Sequence, residues 1–446
     1  MREESRRKLQ TAVCAAGLAL LALLFVVWLR HNRPGSAAEI AAALGCTVLF
    51  AAACVRFVPR WLSFWFDAPP ESPAERGTLP LPLIFVLGLL YGLFNFAAAW
   101  MIMHYVNHDL TPSEFREFWT AADAYHYLCI AQDWYLSDGI VDRVVQLVFL
   151  PGYPLAVRLM HLAVKDWIVA GIHVSMLSFA GALCVFYRLL RLDLDESTAR
   201  FALVCLCLMP GAFFFFVPMS EGLFLLLSVG CVYCARRERW LPAGVLGALA
   251  SFTRSLGLLL FVPLFFELAA RLLHGEKRAW RGAPALLLVP TGFAAYCLVN
   301  YLVSGNAFQF LIYQREHWYQ ELGFFFNTAA YQTRYALQAA AAGNRELLPG
   351  LWLPNLAAVF AAPAILFAGG KRLRPSYTAW ALAYYVIAVG ATWLLSAPRY
   401  MAALPPLPIA LAQCCEKKAA RAVLLCLLAI AELFYLAMFA LRRQVW

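Results

Sequence analysis

The chain has 446 residues, of which 63% are hydrophobic and 14% are charged, and its mean hydropathy is +0.68. A soluble domain of this size could not cover so much apolar surface, so the composition excludes a soluble globular protein and predicts a polytopic membrane protein. The formal net charge of +10 does not indicate nucleic-acid binding, because the basic residues form short clusters between apolar runs, which is typical of cytoplasmic loops.

Long apolar runs without β-type alternation predict membrane-spanning helices, since unpaired backbone groups cannot face lipid. A hydrocarbon core of about 30 Å requires about 20 apolar residues in a helix. The runs 10–29, 37–58 and 79–105 meet this length. If the basic N-terminus is inside, the Pro-rich loop 59–78 is also inside, and the polar loop after the third run emerges on the outer face.

The next apolar segment, 149–163, is predicted to be a re-entrant or juxtamembrane helix that does not cross. It is short, broken by proline, and carries Arg158 and His161. If it crossed, every later basic cluster would lie outside, whereas an interfacial segment places all of them inside. The remaining predicted spans are 167–187, 199–218, 221–235, 240–253, 256–270, 284–303, 350–369, 377–396, 401–415 and 422–441. The predicted fold class is therefore all-α, with thirteen transmembrane helices.

The polar loop after the third span gathers carboxylates and a histidine among aromatic residues. Asp123, Asp133, Asp138 and His126 all lie within it. A carboxylate beside a substrate hydroxyl can act as a general base. We take Asp123 as the candidate base, with His126 three residues later on the same helical face, where it could orient the base or bind substrate. The alternative for such a lone acid is a helix cap or a solvated charge.

Further polar groups fall on the outer face in this topology. Arg254 and Arg399 could each hold an anionic group such as a lipid phosphate, although either could also snorkel to the interface. Glu221 opens a span, where capping of the helix dipole alone could explain it. The other substrate-binding candidates, which could equally be ordinary surface or packing residues, are Tyr153, Gln314, His317, Trp318 and Tyr400.

Several other classes lack their usual signatures. There is no P-loop and no dinucleotide-binding glycine motif, which disfavours ATP-driven transport. Cys231-x-x-Cys234 lies within an apolar span without acidic or histidine neighbours, so it is interpreted as packing. No Asn-x-Ser/Thr sequon occurs, which favours a bacterial cell membrane, with its active site outside, over the endoplasmic reticulum.

The ordered motifs resemble the PIG-V family of GPI mannosyltransferase II-like proteins, which belong to the C-type integral membrane glycosyltransferases. The resemblance begins with Asp-Ala-x-His-Tyr-Leu-x-Ile-Ala from Asp123 and Phe-Leu-Pro-Gly-Tyr-Pro-Leu-Ala from Phe149. It continues in later stretches and covers most of the chain from about 115 to 412; these stretches are PGAFFFFVPMSE (210–221), WLPAGVLGALASFTRS (240–255), FQFLIYQREHW (308–318) and APRYMAALPPLPIALA (397–412).

The resemblance implies an inverting transfer of a hexose, mannose in this family, from a polyprenyl- or dolichyl-phosphate sugar to a glycolipid or glycan acceptor. Asp123 is then the base, the active site is external or lumenal, and no metal or other cofactor is expected. Residues 79–446 would form the C-type domain with an external catalytic loop 106–165, preceded by a transmembrane hairpin extension, 1–78. The chain departs from the family in two ways: three residues separate Trp119 from Asp123, and three spans precede the loop where the family usually has one.

Two alternatives remain open at this stage. A transporter or flippase of polyprenyl-linked glycans would also need outward charges and many spans, but it predicts charged or broken helices near mid-bilayer and internal repeats. A non-catalytic subunit of a glycosyltransferase complex would retain the motifs without activity of its own. The acceptor and the linkage are not specified by the sequence.

Overall fold

A computed structural model describes residues 3–67, 79–135, 145–443 and 445. Within these ranges all regular secondary structure is helical, and the only β-type pairing is one isolated bridge between Leu322 and Ala391. Asp138 lies outside the described residues. The helices are α1 (Glu3–Asn32), α2 (Ala37–Phe66), α3 (Leu81–Val106), α4 (Pro112–Phe118), α5 (Asp123–Asp133), α6 (Gly152–His161), α7 (Trp167–Leu190), α8 (Glu196–Leu208), α9 (Glu221–Arg236), α10 (Trp240–Thr253), α11 (Phe261–Leu273), α12 (Ala283–Ser304), α13 (Gln309–Trp318), α14 (Phe325–Ala341), α15 (Leu353–Gly369), α16 (Pro375–Val389), α17 (Ala397–Ala402), α18 (Pro406–Cys414) and α19 (Lys418–Ala440).

Eight helical segments of the described chain are long and apolar enough to cross a membrane, which confirms the predicted class of an all-α, multi-pass membrane protein. The other predicted spans fall on helices of fewer than 18 residues, namely α8, α9, α10, α16 and the α17–α18 pair. The eight long segments are Glu4–Asn32, Ala37–Phe66, Leu81–Val106, Trp167–Leu190, Ser255–Leu273, Lys277–Ser304, Leu348–Arg372 and Lys418–Ala440.

Three predicted boundaries were wrong. Helix α2 does not stop at residue 58 but continues through Pro59 to Phe66, as neighbouring helices in a membrane allow. Helix α8 ends at Leu208 rather than at 218, because Pro210 disfavours helical geometry before it and Gly211 turns into the left-handed region with φ +90°. Helix α16 ends at Val389 rather than at 396. Between the predicted spans 284–303 and 350–369 the chain forms two further helices, α13 and α14.

The predicted non-crossing segment, 149–163, contains the ten-residue helix α6, and a 3₁₀ turn, Val145–Val148, precedes it. A helix of this length spans about 15 Å, half of a hydrocarbon core. It packs beside α5, since Arg158 donates hydrogen bonds to the carbonyls of Ala131 and Gln132 at 2.7 and 3.1 Å. Leu159 on its other side is exposed.

Two apolar clusters build the interior. The larger one fills the space between the spans, and the N-terminal hairpin contributes to it through α2, where the hydroxyl of Tyr385 lies 3.1 Å from Cys46 Sγ. The smaller cluster lies beneath the Asp123 loop. There Trp119 packs edge-on against Phe96 and Phe115, and Phe439 of α19 closes the cluster from the other side. The loop is therefore anchored to the helical bundle by buried aromatic side chains.

Helix α9 carries buried charge at both ends. Glu221 begins it, and Arg236 ends it with a bidentate contact to Asp193 at 2.6 and 2.8 Å. Close to Arg236, Glu267 accepts a second bidentate pair from Arg374 at 2.6 and 2.8 Å. A 16-residue helix is about 24 Å long, so the two charged groups are separated by most of the bilayer's apolar thickness.

Candidate active site

Asp123 is the first residue of α5, and its carboxylate is held by an arginine rather than by the helix backbone. The residue before it, Ala122, has φ +56° and ψ −137° and makes no side-chain cap. Arg399 Nη1 donates to Asp123 Oδ2 at 2.7 Å. The carboxylate is 28% exposed, whereas the guanidinium is 8% exposed. Asp123 is thus a partly open anion paired with a buried cation.

A second carboxylate extends this pair into a cluster of four charges. Glu221 Oε1 lies 3.4 Å from Arg399 Nε and also pairs closely with Arg254 Nη1. Arg254 Nη1 further donates to Ser220 Oγ at 3.1 Å. We call Asp123, Glu221, Arg254 and Arg399 the charge cluster. Its members come from a loop helix, the start of α9, the end of α10 and the start of α17.

The charge cluster is electrically balanced and mostly buried. Glu221 is 2% and Arg254 10% exposed at the side chain, and such burial is tolerated only where the charges are paired. Within the described chain two polar atoms of the cluster still lack a hydrogen-bond partner, Glu221 Oε2 and Arg399 Nε. The cluster therefore retains capacity to bind a polar ligand, and Asp123 is its most exposed member.

Aromatic rings surround the two guanidinium groups. The ring of Tyr400 lies 5.1 Å from Arg254 and 5.5 Å from Arg399, and the ring of Phe214 lies 5.5 Å from Arg399. Met219 Sδ accepts a hydrogen bond from Arg399 Nη1 at 3.4 Å. These polarisable neighbours stabilise the cations without neutralising them.

An aromatic group, His126, Phe149 and Trp318, lies beside Asp123. The imidazole of His126 stacks on Phe149 at 4.8 Å with an interplanar angle of 16°, and Trp318 lies 6.1 Å from His126 and 5.8 Å from Phe149. His126 Nδ1 is buried and lacks a hydrogen-bond partner among the described residues. Burial lowers the pKa of His126, and the negative charge of Asp123 opposes that shift.

Three other predicted residues lie at the margin of this region or behind it. Tyr153 is fully buried, and its hydroxyl bonds Gly171 O and Ser175 Oγ, both at 2.8 Å. Gln314 donates to Gln320 Oε1 at 2.8 Å, and His317 is exposed beside Tyr313. Of the three predicted residues on α13, Trp318 packs directly against His126 and Phe149, and His317 contacts Trp318 at 6.3 Å.

Some neighbours of the charge cluster were not predicted individually. Ser220 connects Arg254 to the hydroxyl of Tyr127, which lies 3.0 Å from Ser220 Oγ. Both residues stand in stretches that the sequence had already marked, Pro-Met-Ser-Glu and Asp-Ala-Tyr-His-Tyr. Glu432 was missed, although an acid in the middle of an apolar span is itself a signal of function. In the described chain no group of three or more His, Cys, Asp or Glu residues could hold a metal ion.

Comparison of this chain with models of protein families, with curated proteins and with solved structures found no match.

Proposed function

We propose that this protein is a membrane glycosyltransferase that takes a hexose, with mannose as the first candidate, from a polyprenyl- or dolichyl-phosphate sugar. The observation that carries the proposal is the Asp123–Arg399 pair, a partly exposed carboxylate 2.7 Å from a buried guanidinium. Transfer from a lipid monophosphate needs a base for the acceptor hydroxyl and a cation for the departing phosphate. This pair supplies both groups side by side.

In the proposed reaction the acceptor oxygen attacks the anomeric carbon from the face opposite the phosphate. The new C–O bond forms as the bond between the anomeric carbon and the phosphate oxygen breaks, and its electron pair leaves with the lipid phosphate. Asp123 takes the proton of the acceptor hydroxyl, a contribution of roughly 10²–10⁴ in rate. The configuration at the anomeric carbon inverts. One negative charge passes from Asp123, which becomes a neutral acid, to the released lipid phosphate, so the total charge is conserved.

Arg399 has the second role. In the structure it is held by Asp123 and Glu221, and a phosphate that enters beside it would compete with Asp123 for the guanidinium. The carboxylate is then free to accept a proton, while the guanidinium stabilises the leaving group through charge-assisted hydrogen bonds. Arg254 stays paired with Glu221 and supports the positive side of the pocket.

The aromatic group offers the flat apolar surface on which a sugar ring can lie. Trp318 packs against His126 and Phe149 in this group, and the buried Nδ1 of His126, which lacks a partner among the described residues, can form a hydrogen bond with a sugar hydroxyl. We assign Tyr400 to the phosphate side, because its ring contacts both guanidinium groups. Tyr153, Gln314 and His317 are assigned supporting roles around this pocket.

The proposal includes membership of the PIG-V family, the C-type architecture with thirteen spans, and the division into a hairpin, 1–78, and a catalytic domain, 79–446. It also places the active site on the external face of a bacterial cell membrane, or the lumenal face of the endoplasmic reticulum. Support comes from the ordered motifs and from the charge cluster, whose four members stand at the loop ends of their helices as charge parity requires.

The test is transfer of labelled mannose from polyprenyl-phosphate mannose to membrane glycolipids by the purified chain in nanodiscs. We expect product with the wild type and a loss of about 10²–10⁴ in rate for Asp123→Asn. Asp109→Asn is the matched control, because Asp109 is an exposed carboxylate in the same loop. Near-full activity of Asp123→Asn would remove Asp123 as the base, and absence of transfer by the wild type would favour a non-catalytic subunit or a transporter.

A further inference from the structure

Glu432 is a buried acid near the middle of the long helix α19. It is the fifteenth of the 23 residues of this helix and is 2% exposed. A charged side chain at the centre of a span is costly to insert, so such residues are rare and usually functional. No role in the proposed reaction uses Glu432, which does not belong to the charge cluster.

The partners of Glu432 are backbone amides. Its Oε2 accepts from the N–H groups of Gly211 at 2.7 Å and Ala212 at 3.2 Å, and its Oε1 accepts from the N–H of Phe213 at 2.6 Å. Among the described residues no arginine, lysine or histidine forms an ion pair with it. Both carboxylate oxygens therefore fasten one short segment, the turn that follows the end of α8.

This turn also contacts Arg399. Gly211 has φ +90°, and a Cβ at that position would lie 3.1 Å from the backbone N of Arg399 and 3.2 Å from the carbonyl carbon of Pro398. Three residues later, the ring of Phe214 lies 5.5 Å from the Arg399 guanidinium. The turn thus touches Arg399 both at its backbone and at its side chain.

We propose that Glu432 is a positioning residue that fixes Arg399 against Asp123 through the turn 211–214. The carboxylate of Glu432 orients the N–H groups of residues 211–213 and thereby fixes the backbone path of the turn. Because the turn packs against Arg399, its path limits the positions that Arg399 can occupy. The geometric part of this inference stands on the contacts alone, whereas its consequence for turnover rests on the proposed function.

The change Glu432→Gln separates positioning from simple packing. The amide has nearly the same shape, but its NH₂ group would face a backbone N–H where an acceptor is required, so part of the turn loses its partner. Tyr435→Phe is the matched control. Tyr435 lies one turn further along α19, and its hydroxyl donates to Val445 O at 2.7 Å rather than to the turn. The control therefore loses a buried hydrogen bond but keeps the ring, and with it the ring contacts to Phe213 at 5.7 Å and Phe214 at 6.3 Å.

The decisive measurement is the distance from Arg399 Nη1 to Asp123 Oδ2 in cryo-EM structures of the variants. It is 2.7 Å in the wild type, and in Glu432→Gln we expect it to exceed the roughly 4 Å limit of an ion pair. Tyr435→Phe should keep the wild-type distance. If Glu432→Gln does not fold, Gly211→Ala tests the second link on which the proposal depends, from the turn to Arg399, because its added Cβ presses on the backbone of Arg399 while Glu432 is intact. An unbroken ion pair in the variant that folds overturns the proposal.

The turnover number per folded molecule is a second measurement. A loss of packing that only lowers the amount of folded protein would leave it unchanged. A displacement of about 1 Å at a catalytic group can cost about 10²-fold in rate, so Glu432→Gln should lower kcat per folded molecule by that order. Adding Gly211→Ala to it should cause little further loss, since both changes act through one turn. If the wild type transfers no sugar, the proposed function fails, and the ion-pair distance still decides the role of Glu432.

Discussion

Removing the charge of Glu221 tests whether the charge cluster is a coupled unit. In Glu221→Gln the cluster keeps two guanidinium groups but has Asp123 as its one carboxylate. The distance of 3.4 Å from Glu221 Oε1 to Arg399 Nε corresponds to about 5 kcal/mol of Coulomb attraction at an effective dielectric constant of about 20. Glu221 is 2% exposed at its side chain, so solvent does not screen this attraction appreciably.

We expect Glu221→Gln to destabilise the protein by about 3–5 kcal/mol, the range found when one partner of a buried ion pair is removed. The double variant Glu221→Gln with Arg254→Met restores neutrality and should recover most of this loss. The assay is thermal unfolding in nanodiscs at a fixed scan rate, and the losses are compared as shifts of the unfolding temperature, because unfolding of a protein of this class is often irreversible. Arg254→Met alone completes the cycle.

The refuting outcome is additivity. If the losses of the two single variants sum to the loss of the double variant, Glu221 and Arg254 do not depend on each other, and the cluster is not the coupled site described above. A loss of well under 1 kcal/mol for Glu221→Gln would likewise indicate that solvent reaches and screens this carboxylate.

Three further predictions follow from the loop. The pKa of His126, followed by NMR of histidine-labelled protein, should lie below 6.5 and fall further in Asp123→Asn, because the anion that raises it is lost. The contribution of His126 to stability is therefore present above pH 6.5 and lost as pH falls through the folded-state pKa. A pKa above 6.5 would contradict the burial of His126. Ala122→Gly should raise the unfolding temperature, since φ +56° strains alanine by about 1–3 kcal/mol and costs glycine little; a lower temperature would show that the strain is absent. Trp318→Ala should raise KM for the lipid-phosphate sugar more than His317→Ala does, because Trp318 packs against His126 and Phe149 whereas His317 is exposed; equal effects in a kinetic titration would contradict the assignment.

The positions of the spans could be predicted because a segment that faces lipid must meet two conditions. Its side chains must be apolar, and its backbone N–H and C=O groups must form hydrogen bonds within the helix itself. The same conditions do not hold where the protein itself surrounds a segment. Helices α8, α9 and α16 are short, and their polar ends are satisfied by other parts of the chain. Pro59 lies inside α2 because a proline in a membrane helix is compatible with neighbours that a single sequence does not display.

The residues of the charge cluster could be predicted from the sequence, but the ion pairs between them could not. Charge parity put Asp123, Glu221, Arg254 and Arg399 on one face, and the structure joins them. The sequence treated the two arginines as free to hold a phosphate, whereas both are already bound to carboxylates. Which cation meets which anion depends on helix packing, and that information is spread over the whole chain.

Side-chain direction explains most of what the sequence did not reveal. Tyr153 stands in a motif beside the site, but its ring points into the core and its hydroxyl bonds Ser175. Glu432 lies far along the chain from the loop, yet it reaches the turn that holds Arg399. The direction in which each of these side chains points cannot be predicted from spacing along the sequence, because it depends on where a neighbouring helix lies.

The central claim is that Asp123 and Arg399 receive the two ends of a lipid-phosphate sugar, and a cryo-EM structure of the chain with polyprenyl-phosphate mannose tests it most directly. We expect the phosphate within hydrogen-bond distance of the Arg399 guanidinium, with Asp123 released from that guanidinium and the sugar against Trp318. Density for the phosphate at any place from which Arg399 cannot reach it, with the Asp123–Arg399 pair still at 2.7 Å, would contradict the claim.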